Sequence, residues 1–403
     1  MNNIIQDIKD RYNFSNLPLD ASRDDILREI SRAERMLSGF SNKDSALKII
    51  LNSVYGVAGF KKFICYNMDV AESITLGSQS LLKYTISIVN DFFCEVWNTG
   101  DIQKKMRITK WTTITNEVVN YADTDSVFSI LKKVYRESDH DGDLVDFVME
   151  LKKVALDEYL ETKFKEYIDN INGFQEKPTG DKSFIIELEE IDYVVLWTAK
   201  KRYIKVPMWY KGKRFEPYQS IEVKGLEMNQ QAIPKWVRDK LTEVVKMILE
   251  AGESANTHTV VGKLREIKNE FKVTNLENIC KIQKLSNYEK YVLQDNTKIV
   301  ISSGADPVYK GGAIHNYMLY NSEYMGKYQP ISSGNKVAWY YTLGAYLESF
   351  AFVPGDFPME IDPPEVDYER QFETLIIKPL ERILECIGIK GLTPSLIIDN
   401  AVW

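Results

Sequence analysis

Cysteine and histidine are scarce in this chain. Four cysteines (Cys65, Cys94, Cys280, Cys386) are spread over 403 residues, which forms no metal-ligand spacing and fits a reducing compartment. The three histidines (His140, His258, His315) are equally scattered, which argues against a zinc centre. No apolar run approaches the about 18 residues needed to span a bilayer. The opening Met1-Asn2-Asn3-Ile4-Ile5-Gln6-Asp7 has neither a basic region nor an apolar core, so it does not read as a signal peptide. Internal repeats and low-complexity segments are also missing. What remains is a globular chain, 44% hydrophobic, long enough for about two or three domains.

A net charge of −7 argues mildly against an indiscriminate nucleic-acid binder. The positive charge is uneven, however. Lys200, Lys201, Arg202, Lys205, Lys211, Lys213 and Arg214 lie close together, interleaved with Trp197, Tyr203, Trp209 and Tyr210. Such a stretch reads equally as a solvated strand face or as a grip on a phosphate backbone, where local field outweighs net charge.

The pattern predicts a helix from Ser22 to Gly39 with a capping-box-like start, and a second from Ser41-Asn42 to about Tyr55. Residues 70–98 read as a long helix whose buried face includes Ile74, Leu81, Ile88 and Phe92, with Gly77 and Ser78 allowing close packing. A strand hairpin is expected over 112–131, then a helix from the Asp141-Gly142-Asp143 loop to about Ile171, and a turn-rich connection over 171–182. Strands follow over Phe184–Val206 and Tyr218–Val223. Beyond a boundary near 225 the chain turns mostly helical: after Pro234 up to Gly252, then near 258–271, 276–283 and 312–319. A strand over Val337–Tyr341 and a last helix from Asp367, kinked or split at Pro379, complete the pattern.

The most informative segment is Tyr121-Ala-Asp-Thr-Asp-Ser126. Val118 and Val119 lead in; Val127, Phe128, Ile130 and Leu131 lead out. It reads as a β-hairpin with two carboxylates at its tip, and in extended backbone Asp123 and Asp125 would project to one side. Two close like charges need a cation, and Mg²⁺, held by carboxylates and substrate phosphates, suits them. Alone, the pair reads more readily as an acidic surface turn. Upstream, Lys48, Asn52 and Tyr55 recur at i, i+4 and i+7 and so share a helix face, with Gly56 just beyond. Such a face can meet a triphosphate and stack on a base. An ordinary solvated helix would look the same.

Three motifs together resolve these ambiguities. Lys48-x-x-x-Asn-Ser-x-Tyr-Gly56 resembles motif B of family B DNA polymerases, Tyr121–Ser126 resembles their motif C, and Thr198-Ala-Lys-Lys-Arg-Tyr203 resembles their Lys-Lys-Arg-Tyr motif, all in the family's order. Val223-Lys-Gly-Leu-Glu-Met228 with Pro234-Lys235, Ser332–Lys336, and Asp367-Tyr368 through Phe372 to Lys378-Pro379-Leu380 resemble thumb segments of the T-even phage branch. The resemblance implies an α+β fold, with partial fingers helices (1–56), an antiparallel palm sheet with packed helices (57–225), a mostly helical thumb (226–390) and a tail (391–403). It implies template-directed transfer of dNTPs to a primer 3′-hydroxyl. Asp125 would be the main metal carboxylate and Asp123 its neighbour. Two Mg²⁺ ions, replaceable by Mn²⁺, would activate the hydroxyl and hold the triphosphate. Lys48, Asn52, Tyr55 and Gly56 would form the nucleotide pocket. Lys200, Lys201, Arg202 and Tyr203 would grip primer-template DNA. Glu189 would be a weak metal contact, though a solvated strand face explains it equally.

The departures from the family matter as much. Motif A, Asp-x-x-Ser-Leu-Tyr-Pro, supplies the other bridging aspartate; here Asn16-Leu17-Pro18-Leu19-Asp20 does not match it. The exonuclease region and the partner finger helix are missing from these residues too. The resemblance therefore implies the C-terminal subunit of a split polymerase, inactive alone, with an N-terminal chain supplying motif A and exonuclease, and residues 23–38 helping to join the halves. A non-catalytic primer-template-binding remnant is the alternative, although a remnant gains nothing by keeping Asp123, Asp125 and Lys48. A reverse-transcriptase-like palm fits less well, given the flanking motifs. The tail Ser395–Trp403 is apolar with a terminal Trp but lacks paired phenylalanines. It reads as a sliding-clamp peptide or as a segment packed on the thumb. The expected location is the cytoplasm of a phage-infected host cell.

Overall fold

The computed structural model describes residues 22–170, 186–294, 298–344 and 348–390. They divide into two compact units, one drawn from residues 1–141 and 150–179, the other from 142–149 and 180–403. Helices with small antiparallel sheets make the fold α+β, as the motifs imply.

The first unit opens on one uninterrupted helix, α1 (Arg23–Ala58), where two helices were expected. Gly39 costs a helix interior about 1 kcal/mol but does not break it, and no proline lies between 23 and 58. Ser41 and Asn42 are thus interior residues, and Gly56 lies inside the helix. Asn67 then caps α2 (Met68–Asp91), its side chain accepting from the Val70 N–H at 3.1 Å. The rod continues through a π turn (Phe92–Val96) and a 3₁₀ turn (Trp97–Thr99) to Gly100 at φ +82°.

Phe92, Phe93 and Trp97 are fully buried and Ile88 is buried, as the periodicity requires. Ile74 is exposed, and a Cβ on Gly77 would meet open space, so the expected close packing at that end is not found. Strands β1 (Val119–Asp123) and β2 (Ser126–Ser129) form the hairpin, shorter than expected because Thr112, Ile114 and Asn116 hydrogen-bond to side chains of the helical rod. A short helix (Leu144–Leu151), most of which belongs to the second unit, is followed by a π turn (Lys152–Leu156) and α3 (Asp157–Asn170) in the first. Tyr84 joins α2 to α3, donating to the Lys163 carbonyl at 2.9 Å and packing on Tyr167.

In the second unit β3 (Glu190–Ala199) and β4 (Arg202–Tyr210) form a long hairpin, and β4 also pairs with β5 (Lys213–Arg214) and β6 (Glu222–Lys224). The expected connection at 171–182 and the strand start at Phe184 lie outside the described residues. Ile204 and Val206 share a core with α4 (Lys235–Ala251), α5 (Thr257–Val273) and residues 372–384. Residue 225 therefore lies within this unit.

The helix expected over 276–283 is a single 3₁₀ turn (Leu276–Ile279) followed by strand β7 (Lys281–Lys284). A short hairpin joins β8 (Val292–Gln294) to β9 (Ile299–Ile301). Helix α6 (Pro307–Tyr320) leads to β10 (Lys336–Tyr341) and β11 (Ser349–Phe352), and these strands form the sheet β11-β10-β7. Helix α6 lies close on β11: a Cβ at Gly311 would come within 2.9 Å of the Ala351 nitrogen. The last helical run, Tyr368–Cys386, passes Pro379 through a π turn (Glu373–Ile377) before α7 (Lys378–Cys386). The π turn lies just where a proline ring would crowd the preceding turn.

Candidate functional site

The hairpin β1–β2 closes at Asp123↔Ser126, which leaves Thr124 and Asp125 as a two-residue loop. Thr124 has φ +55°, strained for a β-branched residue and of the kind that clusters at functional sites. The turn is tied locally. The Asp125 N–H donates to the Asp123 carbonyl (2.6 Å), the Ser126 hydroxyl to the same carbonyl (3.1 Å), and the Thr124 hydroxyl to Asp123 Oδ1 (3.1 Å). Both carboxylates do stand at a hairpin tip. The extended-strand rule does not set their direction, because a left-handed residue separates them. Asp123 is half-buried and Asp125 exposed.

Lys48, Asn52 and Tyr55 share one exposed face of α1, with Gly56 one residue further inside the same helix. Flanking that face, Leu47, Leu51 and Val54 are 60–70% exposed, an unusual display of large apolar side chains.

In the second unit the β3–β4 hairpin presents Lys200 and Lys201 at its turn, closed by Ala199↔Arg202. Lys201 has φ +62°. Thr198 Oγ1 donates to the Arg202 carbonyl at 2.9 Å, and Trp197 packs on Tyr203 with ring centroids 4.8 Å apart. Tyr203 pairs with Lys224 on β6, so Gly225 passes directly over the turn. A Cβ there would stand 2.1 Å from the Lys201 carbonyl oxygen, and φ is +67°, so only glycine fits. Sequence reasoning met Gly225 only within the Val223–Met228 segment that resembles the family's thumb, without assigning it this close approach.

The basic stretch does not act as a unit. Lys205 is buried and paired with Glu190 and Glu222, Lys211 holds Glu189 at 2.9 Å, and Arg214 pairs with Asp143 (2.6 Å) and Asp146. Lys200, Lys201 and Arg202 remain exposed at the turn. Glu189, exposed and engaged by Lys211, sits at the opposite end of the hairpin from that turn.

Asp123 and Asp125 offer the hard oxygen ligands a divalent ion takes. Among the described residues, however, no cluster of three or more His, Cys, Asp or Glu side chains could hold a metal.

The family model for DNA polymerase family B matches residues 21–387, and the chain belongs to that family. Its relatives include polymerases of two phages and of an archaeon. It is 25% identical over 252 residues to a DNA-directed DNA polymerase of Enterobacteria phage T4, covering 60% of this chain and 26% of that protein. To the DNA-directed DNA polymerase of Escherichia phage RB69 it is 28% identical over 217 residues, 51% of this chain and 22% of the relative. DNA polymerase 1 of Aeropyrum pernix is 27% identical over 194 residues, 45% and 20% of the two chains. The matched region thus spans about a quarter of these relatives.

Proposed function

We propose that this chain supplies the motif B helix, the carboxylate hairpin and the DNA-gripping thumb half of a DNA-directed DNA polymerase, and that it extends a primer only when a further polypeptide completes the site. The observation that carries this reading is the Asp123/Asp125 pair: a strained hairpin tip with two carboxylates and, among the described residues, no third to complete a metal cluster. In this reading a complementing N-terminal chain adds the motif A aspartate and the exonuclease. The completed carboxylates hold the divalent ions, Mg²⁺ or Mn²⁺, which supply charge neutralisation at the transferred phosphate.

The chain's own residues do the rest. Lys48, Asn52 and Tyr55 face the incoming dNTP, and Lys200, Lys201, Arg202 and Tyr203 hold the primer-template backbone. Glu189, bound to Lys211, has a supporting role at most. The fingers, palm and thumb divide at about residues 56 and 225. The exposed apolar side chains of α1 are where the complementing chain docks. The proposed clamp peptide, residues 391–403, lies outside the described residues; deleting Leu396–Trp403 should abolish clamp pull-down.

Primer extension with Mg²⁺ and four dNTPs tests the reading, using this chain alone and mixed with a motif A-bearing chain. Extension only in the mixture, abolished by Asp125→Ala, is the expected result. Primer-template binding without extension in either case would instead favour the DNA-binding remnant.

A further inference from the structure

In regular strand geometry successive N–H groups point to opposite edges. At the start of β1 they do not. The Val118 and Val119 N–H groups both donate to one atom, Oδ1 of Asn90, at 2.9 and 3.0 Å. Two consecutive amides converging on one acceptor mark a break in the pleat, and the ladder has one there. Val119 pairs with Ser129 but Tyr121 with Phe128, so Asn120 is an extra residue, a β-bulge. From Tyr121 the register runs unbroken to Asp123↔Ser126. Because side chains alternate with a period of two, one residue gained or lost at this point reverses the face of every residue up to Asp123.

Asn90 is 7% exposed, on α2 two residues before the rod opens into its π turn. It is the last of a series. Trp97 Nε1 donates to the Thr112 carbonyl at 3.1 Å. The Asn98 carboxamide brackets Ile114, donating to its carbonyl at 2.7 Å and accepting from its N–H at 2.8 Å. Cys94 Sγ donates to the Asn116 carbonyl at 3.5 Å. Residues 98, 94 and 90, four apart on the rod, thus meet residues 114, 116 and 118, two apart. The spacings match: four helical residues rise about 6 Å and two strand residues about 6.6 Å. The helix face takes the place of a neighbouring strand, and its final peg sits at the bulge.

We propose that Asn90 is a positioning residue for the carboxylate hairpin: its carboxamide holds the bulge at Asn120 and thereby fixes the face on which Asp123, and the loop carrying Asp125, are presented. This rests on the reading of that hairpin as the site of chemistry. Asn90→Leu keeps the branched side-chain shape, with bulkier methyl groups, and removes the acceptor, whereas Asn90→Asp keeps the acceptor. In the intact chain, amide exchange at Val118 and Val119 should accelerate roughly 10- to 100-fold in Asn90→Leu. The Tyr121–Phe128 cross-strand contact should shift register, and Asn90→Asp should restore both. In the complemented polymerase, kcat should fall about tenfold or more in Asn90→Leu with KM for dNTP within about twofold, again rescued by Asn90→Asp.

Unchanged exchange and unchanged Tyr121–Phe128 pairing in Asn90→Leu would overturn the proposal. Should that variant not fold, deletion of Asn120 removes the bulge and leaves Asn90. With the bulge gone Val119↔Ser129 and Tyr121↔Phe128 follow in an unbroken ladder, so that pairing should stay, while the Val118 and Val119 amides, no longer both turned to Asn90, should exchange faster; wild-type exchange there would overturn the proposal equally. If the wild-type assembly does not extend primers, the functional reading fails, while exchange and pairing still decide the role of Asn90.

Discussion

Three carboxylates surround the ammonium of Lys205. Glu190 pairs with it directly and Glu222 lies at 3.4 Å. Asp192 stands beside them. Burial, followed by the neighbouring Glu190, raises its pKa to about 7, only partly offset by Lys205. Unfolded, the same group titrates near ~3.9. A proton is thus taken up on folding, so this contribution is complete below about pH 4 and is lost as pH rises through 7. Asp139 and Glu360 act in the opposite sense. Hydrogen bonds from Thr109 and Lys110 hold Asp139 down at about 2, and those from Lys327 and Tyr328 hold Glu360 there, so their contribution is lost in acid. His315, buried and lowered, also stabilises less below about pH 6.5. The melting temperature should therefore peak near pH ~5–6 and fall towards pH 8. Asp192→Asn should flatten the alkaline side, and a thermal-shift series against pH checks this. At Gly225 the expectation is steric. Gly225→Ala drives a Cβ into the Lys201 carbonyl, and should cost about 1–3 kcal/mol and weaken DNA binding together with it, measured by denaturant unfolding and anisotropy.

Helix α1 is the element whose surface does not match its surroundings. Leu37, Leu47, Leu51 and Val54 are each at least 60% exposed. Burying each large apolar side chain contributes roughly 1.5–3 kcal/mol. A complementing helix laid along this face would therefore find ample driving force. Leu47→Asp with Leu51→Asp should abolish co-purification with a motif A-bearing chain and the extension that depends on it. The same pair should leave the melting of the isolated chain within about 1 °C, because neither side chain is part of its core. A fall in melting temperature comparable to that of a core variant would sink this assignment. Lys48, Asn52 and Tyr55 stand on the same helix, so under the proposed function docking and nucleotide contact would be coupled through α1.

At the scale of the whole molecule, a net charge of −7 and a basic hairpin turn make opposite demands. In the proposed function, DNA affinity comes from a few local cations and should fall steeply with salt. Replacing both Lys200 and Lys201 by Ala should weaken binding across all sequences and reduce the slope of log K against log salt by about 0.9 for each phosphate no longer neutralised. An unchanged slope would mean that the grip lies elsewhere. No helix among the described residues is long and apolar enough to cross a membrane. The amino-acid order alone was enough to identify the family, the carboxylate hairpin, the Lys-Lys-Arg-Tyr turn and most long helices, because these are local: a turn, a period, a cap or a motif is complete within a few residues. It left Lys205 and Arg214 undifferentiated within one basic stretch, took residues 281–283 for helix, and gave Asn90 and Gly225 no structural role. Each of those depends on a partner far away in the chain: Glu190 and Glu222, Asp143 and Asp146, β10, the amides of Val118 and Val119, the carbonyl of Lys201. Hydrogen bonding, ion pairing and close approach are decided by which distant groups folding brings within a few ångströms, and only the tertiary structure supplies that.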